Sequence, residues 1–151
     1  MTSSWSLTLD PDPASVREAR LFVADRLRRL EPPVPASLVD TSVLLTSELA
    51  SNAVLHGRST FTVVVARRAD SVRIEVRDLS RSLPRRRSYS LTATTGRGVA
   101  LVQDQSDRTG VDLHADGKTV WFEIDIVRTG RPTPATIAPD DGAAGRGERV
   151  S

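Results

Sequence analysis

The chain has 151 residues, with 21 basic residues against 19 acidic residues and no cysteine. This length suits one ordinary domain with a core of its own. The lack of cysteine excludes disulfides and thiolate metal sites, and no apolar run approaches the roughly 20 residues of a membrane span. The first residues, MTSSWSLTLD, lack the basic start and long apolar stretch of a signal peptide, so we expect a cytoplasmic protein without membrane contact.

The basic residues are nearly all arginine: 20 of the 21. The high pKa of arginine lifts the calculated isoelectric point to 9.9 although the net charge is only +2. The one dense basic cluster is RSLPRRR, residues 81–87, with Tyr89 as its only aromatic neighbour. Without a platform for base stacking, a solvated loop is the plainer interpretation and nucleic-acid binding is disfavoured. A nucleic-acid site here would predict binding that weakens strongly with salt.

The first half of the chain predicts one strand and two helices. WSLTLD, residues 5–10, alternates apolar and polar residues as a strand does. Asp12 is a suitable helix cap, followed by a proline, and an apolar stripe of helical period continues through residue 30. Pro35 can open a second helix, for which Gly57 is a natural C-cap.

The second half predicts two strand pairs separated by a loop and a short helix. TFTVVVARRADSVRIEVRD reads as two strands with a turn near residues 69–70, and period two places Asp78 on the apolar face of the second strand. GRGVALVQDQSD begins with glycines and becomes a short helix. TGVDLHADGKTVWFEIDI predicts a hairpin around an Asp116-Gly117 turn.

This order of elements favours an α+β fold. Because the strands pair mostly with sequence neighbours, we expect a two-layer α/β sandwich with a mixed, mostly antiparallel sheet covered on one face by helices. Residues 1–127 would form this domain. Residues 128–151 are rich in Pro, Gly and Ala, and we predict a disordered tail there.

Three polar side chains are predicted to lie close to the core. Glu48 and Asn52 in SELASNAVLHG are four residues apart and share a helix face, although Leu45 and Leu49 flank Glu48. They are either a polar pair at a helix edge or a pair with a ligand, in which Asn52 holds a cation and Glu48 handles a proton. Asp78 is either the cap of a turn or a buried acceptor for the exocyclic amine of a ligand.

A glycine turn, TTGRGV at residues 94–99, opens the predicted short helix. Glycines allow close backbone approach, and a helix N-terminus favours phosphate. The turn is neither a Rossmann fingerprint, because Leu101 stands at the third glycine position, nor a Walker A loop, because no Gly-Lys-Ser/Thr follows. The two histidines, His56 and His114, lie in different elements, which leaves a histidine metal site unsupported. We expect a structural role for His56 at its helix end.

In this order, the segments resemble the GHKL ATP-binding domain, or Bergerat fold, of gyrase, heat-shock chaperones, histidine kinases and mismatch-repair ATPases. SELASNAVLHG is similar to the N-box of that family, VRDLSRSLP stands at the first glycine box, TTGRGVALV resembles the second, and GKTVWFEI resembles the final strand motif. The resemblance covers about residues 5–127. Within the family, the size and the short lid resemble the stand-alone anti-sigma-factor serine/threonine kinases.

The resemblance implies ATP and Mg²⁺ as cofactors and gives each motif residue a role. Asn52 would hold the Mg²⁺ that bridges the phosphates, and Glu48 would act as base towards the attacking hydroxyl. Asp78 would accept the adenine amine, and Thr119 would lie beneath the adenine. The glycine turn would hold phosphate through residues Gly96, Arg97, Gly98 and Val99.

One motif departs from the family pattern. The first glycine box usually reads Asp-x-Gly-x-Gly, whereas this chain reads Asp78-Leu79-Ser80-Arg81-Ser82. The first hypothesis is therefore a Mg·ATP-dependent kinase that binds a sigma factor and phosphorylates a small antagonist protein, with residues 79–95 as a lid. The alternative is a binding module that sequesters a protein partner with weak nucleotide binding or none. Both hypotheses are compatible with a homodimer.

Overall fold

The computed structural model describes residues 3–57, 59–80 and 101–126. The elements in chain order are β1 (Ser3–Leu9), α1 (Ala14–Arg28), α2 (Ala36–Asn52), a π-helical turn (Ala53–Gly57), β2 (Phe61–Arg67), β3 (Ser71–Asp78), a helical segment at residues 101–105, β4 (Arg108–His114) and β5 (Gly117–Asp125). Most of the predicted lid and the whole predicted tail lie outside the described residues. Among the helices of the described ranges, none is long and apolar enough to cross a membrane.

The five described strands form one sheet in the order β1-β2-β3-β5-β4. Each of the four pairings is antiparallel, and the registers run without interruption along the strands. The helices α1 and α2 pack against each other and against the sheet. The predicted α+β sandwich is confirmed, and its mostly antiparallel sheet is antiparallel at every described pairing.

The core lies between the helices and one face of the sheet. Alternation in the central strands places every second side chain on this face, as period two requires. The strand residues on this face that are buried and apolar are Phe61, Val63, Val65, Val72, Ile74, Val76, Phe122 and Ile124. Burying each such side chain stabilises the fold by roughly 1.5–3 kcal/mol. Any polar residue in the same phase is therefore carried into the apolar layer.

Helix α1 begins at Ala14, two residues after the predicted cap Asp12, and ends earlier than the apolar stripe suggested. Asp12 Oδ1 accepts a hydrogen bond of 2.9 Å from the backbone N–H of Ala14. The helix ends at Arg28, although Leu30 is buried as the stripe predicted. The N–H groups of Arg29 and Leu30 donate to carbonyls three residues back, which closes the helix with a tighter turn.

Helix α2 begins after Pro35 and passes into the π-helical turn directly after Asn52. The turn ends at Gly57, where the sequence predicted the end of the helix. Single π-helical turns within α-helices are uncommon and occur frequently at functional sites. Asn52 thus stands at the junction between regular and widened helix.

The opposite face of the sheet is held by ion pairs. Arg73 donates to Glu75 at 2.7 Å and to Glu123 at 3.0 Å, and its guanidinium lies 4.0 Å from the centre of the Trp121 ring. Burial alone would raise the pKa of the Glu75 carboxyl, but hydrogen bonds from Arg73 and Arg77 lower it below its ordinary value. The two faces therefore differ in chemistry, with apolar side chains towards the helices and paired charges on the other side.

Gly117 at the start of β5 is predicted to tolerate no side chain. Its φ is +157°, and a Cβ there would stand 2.1 Å from the carbonyl oxygen of Asp78. Because the obstacle is backbone, Gly117→Ala should lower the free energy of unfolding by roughly 2–3 kcal/mol, measured by urea denaturation. Asp116→Ala at the adjacent exposed turn position is the control. A cost below about 0.5 kcal/mol for Gly117→Ala, the range of ordinary surface changes, would contradict the close approach.

Candidate functional site

The end of the core-facing layer carries two charged residues. Register places Phe61, Asp78 and Lys118 side by side on β2, β3 and β5. Asp78 and Lys118 are only 6% and 5% exposed. The prediction that period two carries Asp78 onto the apolar face is thus confirmed, and Lys118 is carried there by the same alternation.

Asp78 and Lys118 form a buried ion pair. The Lys118 ammonium lies 3.1 Å from each carboxylate oxygen of Asp78. The backbone N–H of Ser80 donates to Asp78 Oδ1 at 2.8 Å, and the Lys118 ammonium also lies 3.5 Å from the Ser80 carbonyl oxygen. Asp78 therefore caps the turn that follows β3 and pairs with a cation at the same time.

Glu48 and Asn52 lie on α2, which packs against β3 and β5. Both residues are half-buried, while the flanking Leu45 and Leu49 are buried in the core. Burial raises the pKa of the Glu48 carboxyl above its ordinary value. A raised pKa brings a carboxylate closer to the range in which a general base works best at neutral pH. The expectation that Glu48 lies close to the core is confirmed.

A cavity of about 180 Å³ lies at the same end of the sheet. It is lined by residues from the strand ends and the β4–β5 turn, among them Asp78, Lys118 and Thr119. Thr62, Arg77 and Thr119 of this lining lie in one row on the ion-paired face, and none of the described lining residues comes from α2. The cavity therefore opens at the strand ends and does not include Glu48 or Asn52.

Thr119 does not share a face with Asp78. It pairs in register with Arg77, so it belongs to the row of side chains on the ion-paired face of the sheet. Its hydroxyl is hydrogen-bonded to His114 Nε2 at 2.8 Å. A shift of one residue along a strand turns the side chain to the other face, so Thr119 and Asp78 point to opposite faces of the sheet. The place of Thr119 beneath a bound adenine stays a prediction.

Comparison with known proteins assigns the family. The sequence model of the family described as histidine kinase-like ATPase domain matches residues 9–124 of this chain. The chain belongs to the histidine kinase-like ATPase family. The fold is similar to a crystal structure of the RsbU and RsbW domains of Rv1364c from Mycobacterium tuberculosis, with a TM-score of 0.62 and 21% identity. That match covers 85% of this chain, which spans about a third (34%) of the other. The comparison with curated proteins found no similar sequence.

The ATPase-family site is only partly covered by the described residues. Glu48, Asn52 and Asp78 are described, and they lie on α2 and β3, which are in contact. The predicted phosphate-binding residues, Gly96, Arg97, Gly98 and Val99, lie outside the described ranges. Their role remains a prediction.

Lys118 is the residue of this ATPase domain that sequence reasoning missed. The signal was present, because the alternation of GKTVWFEI puts Lys118 in phase with the core residues Phe122 and Ile124. Lysine is almost never fully buried unless it is paired. Its partner lies 40 positions earlier in the sequence, so the pairing became visible only with the register of β3 against β5.

The buried ion pair predicts a large energetic coupling between Asp78 and Lys118. Asp78→Asn and Lys118→Met should each lower the free energy of unfolding by about 3–5 kcal/mol, because each leaves a buried charge without its partner. The double variant should cost at least about 1 kcal/mol less than the sum of the two single costs. Urea denaturation of the four proteins measures this difference.

An exposed pair on α1 and just beyond it provides the matched control. Arg29 and Asp25 form an ion pair of 2.9 Å with side chains 71% and 47% exposed. The variants Arg29→Met and Asp25→Asn should couple by less than about 1 kcal/mol, as exposed pairs do. Additive costs for Asp78 and Lys118, within about 0.5 kcal/mol, would show that the two buried charges do not stabilise each other.

Proposed function

We propose that this chain binds ATP with Mg²⁺ and transfers the γ-phosphoryl group to a serine or threonine hydroxyl of a protein. The observation that carries the proposal is a buried carboxylate, Asp78, at the end of a core strand that packs against the helix bearing Glu48 and Asn52. Membership of the histidine kinase-like ATPase family supports nucleotide binding in general. Phosphoryl transfer needs mostly positioning and neutralisation of charge, which such a site supplies.

Each described side chain has a role in this reaction. The Asp78 carboxylate accepts a hydrogen bond from the exocyclic amine of adenine, which guanine does not offer at that position. Glu48 accepts the proton of the attacking hydroxyl. The oxygen of that hydroxyl bonds to the γ-phosphorus, and the bond from this phosphorus to the bridging oxygen of ADP breaks. The half-buried position of Glu48 suits this role, because burial raises the pKa of its carboxyl.

Asn52 is the proposed protein ligand of Mg²⁺. Mg²⁺ in phosphate sites keeps several waters and takes only one or two ligands from the protein besides the phosphates. The amide oxygen of Asn52, at the end of α2 and half-buried, is a donor of the required kind. When bound, the ion neutralises charge on the phosphates. Asn52 would hold the ion at a fixed position relative to Glu48, which lies one helical turn earlier on α2.

The proposed partners are proteins. Resemblance to anti-sigma-factor kinases suggests a sigma factor as the bound partner and a small antagonist protein as the phosphoryl acceptor. The fold similarity to a structure that contains an RsbW domain supports the proposal of a protein partner. We propose regulation of transcription in the cytoplasm as the setting and a homodimer as the assembly.

A second candidate function is a binding module that holds a protein partner without nucleotide turnover. The observation that favours it is the pairing of both Asp78 carboxylate oxygens with Lys118. Ser80, which stands where the family pattern has a glycine, adds a side chain at the turn beside that pair. Both features oppose the approach of a base to Asp78, whereas neither interferes with protein contacts elsewhere.

Calorimetric titration with ATP, with and without Mg²⁺, tests the proposal. ATP should bind more tightly with Mg²⁺ than without it, and GTP should bind poorly. Asn52→Ala should abolish the enhancement of ATP binding by Mg²⁺, while Ser51→Ala at the preceding helix position should retain it. Glu48→Gln should bind ATP almost unchanged but lower transfer to a serine-bearing antagonist protein by ~10²–10⁴.

Three results would contradict the proposal or the residue roles within it. Equal affinity for ATP and GTP would remove Asp78 as the acceptor of the adenine amine. Transfer at the undiminished rate by Glu48→Gln would make Glu48 a structural residue rather than the base. Absence of nucleotide binding in the whole series would leave the binding module as the function.

A further inference from the structure

We propose that Lys118 is an internal competitor for the Asp78 carboxylate, so that a nucleotide binds only after the lysine ammonium moves away. This inference rests on the proposed function, because it concerns the same acceptor, Asp78. It adds an affinity-setting residue that the family motifs did not reveal.

The hydrogen-bond inventory of Asp78 carries the inference. Each carboxylate oxygen offers about two acceptor positions. Oδ1 accepts from the Ser80 N–H at 2.8 Å and from the Lys118 ammonium at 3.1 Å, which fills it. Oδ2 also accepts from the ammonium at 3.1 Å. An amine that approached the remaining position on Oδ2 would bring its own donor hydrogens next to a cation that is itself only a donor.

The burial of the pair leads to the same conclusion. Lys118 is 5% exposed, so its ammonium is largely shielded from water where it meets Asp78. Moving the ammonium off Asp78 would free the acceptor.

The type of residue suits a movable competitor. Lysine carries a point charge on a flexible four-carbon stem, whereas the planar fork of arginine is less easily redirected. Lys118 is the only lysine of the chain, and the other 20 basic residues are arginine. The one lysine of the sequence therefore pairs with Asp78, the buried carboxylate at the end of β3.

Competition by Lys118 should lower the apparent affinity of the chain for ATP by a calculable factor. When a ligand binds only to a fraction of molecules, its apparent dissociation constant equals the intrinsic constant divided by that fraction. If Lys118 is off Asp78 in a tenth of the molecules or fewer, the apparent affinity for ATP is lowered at least about tenfold. Removing the ammonium should raise the apparent affinity for ATP by the same factor.

The first test is calorimetric titration of ATP into the unchanged chain and Lys118→Met. Methionine retains an unbranched stem and removes the charge. Lys118→Met should bind ATP at least about tenfold more tightly. Arg29→Met, which removes an exposed cation just beyond α1 (71% exposed side chain), controls for net charge and should bind as the unchanged chain does.

The second test needs no substitution and therefore does not depend on how well Lys118→Met folds. An amine-reactive acetylating reagent modifies Lys118 as the only lysine, and mass spectrometry of the tryptic peptide gives the rate. ATP or ADP should raise this rate several-fold, because the base displaces the ammonium from Asp78. Tripolyphosphate, which has no base, should leave it unchanged. A lysine-containing reference peptide in the same mixture corrects for the reagent.

The outcomes separate the inference from the proposed function. Equal or weaker ATP binding by folded Lys118→Met would overturn the competitor while leaving ATP binding by the chain intact. A labelling rate that ATP leaves unchanged or lowers, at concentrations that saturate calorimetrically, would overturn it as well. If neither protein binds ATP, the proposed function fails, and the competitor fails with it.

Discussion

The buried ion pair of Asp78 and Lys118 is the constraint on which the end of the sheet depends. It joins the end of β3 to the start of β5, and through the Ser80 backbone it also fixes the turn that leaves β3. A buried charge is tolerated only when it is paired and hydrogen-bonded. Any ligand that uses Asp78 must therefore take over a role that Lys118 already fills.

The ion pair of Asp78 and Lys118 is a feature of this chain within a fold that it shares with its family. The antiparallel sheet, the two packed helices and the half-buried Glu48 and Asn52 provide the layout of a histidine kinase-like ATPase domain. Lys118 and Ser80 modify the place where that layout would receive a base. In the function proposed above, displacement of the ammonium decides between catalysis and partner binding. The proposal therefore rests on this site rather than on the fold itself.

Much of the fold could be predicted from the sequence, because strand alternation and helix caps are local signals. The burial of Asp78 and the position of Glu48 near the core both followed from periodicity. The partner of Asp78 did not, since Lys118 lies 40 positions later and the pairing depends on the register of two strands. The face of the Thr119 side chain also depends on this register, because one position along a strand reverses the side-chain direction. The π-helical turn after Asn52 leaves no comparable local signature in the residue pattern.

The most direct test of this account is the side-chain nitrogen signal of Lys118, measured by NMR in protein labelled with ¹⁵N-lysine. Since the chain contains one lysine, the spectrum holds a single ammonium signal. Without nucleotide, we expect a signal whose hydrogens exchange slowly with water, as for a buried and hydrogen-bonded group. Saturation with a non-hydrolysable ATP analogue and Mg²⁺ should shift the signal and speed this exchange. A signal that keeps its position and slow exchange in the saturated complex would contradict the account, because the ammonium would then never leave Asp78.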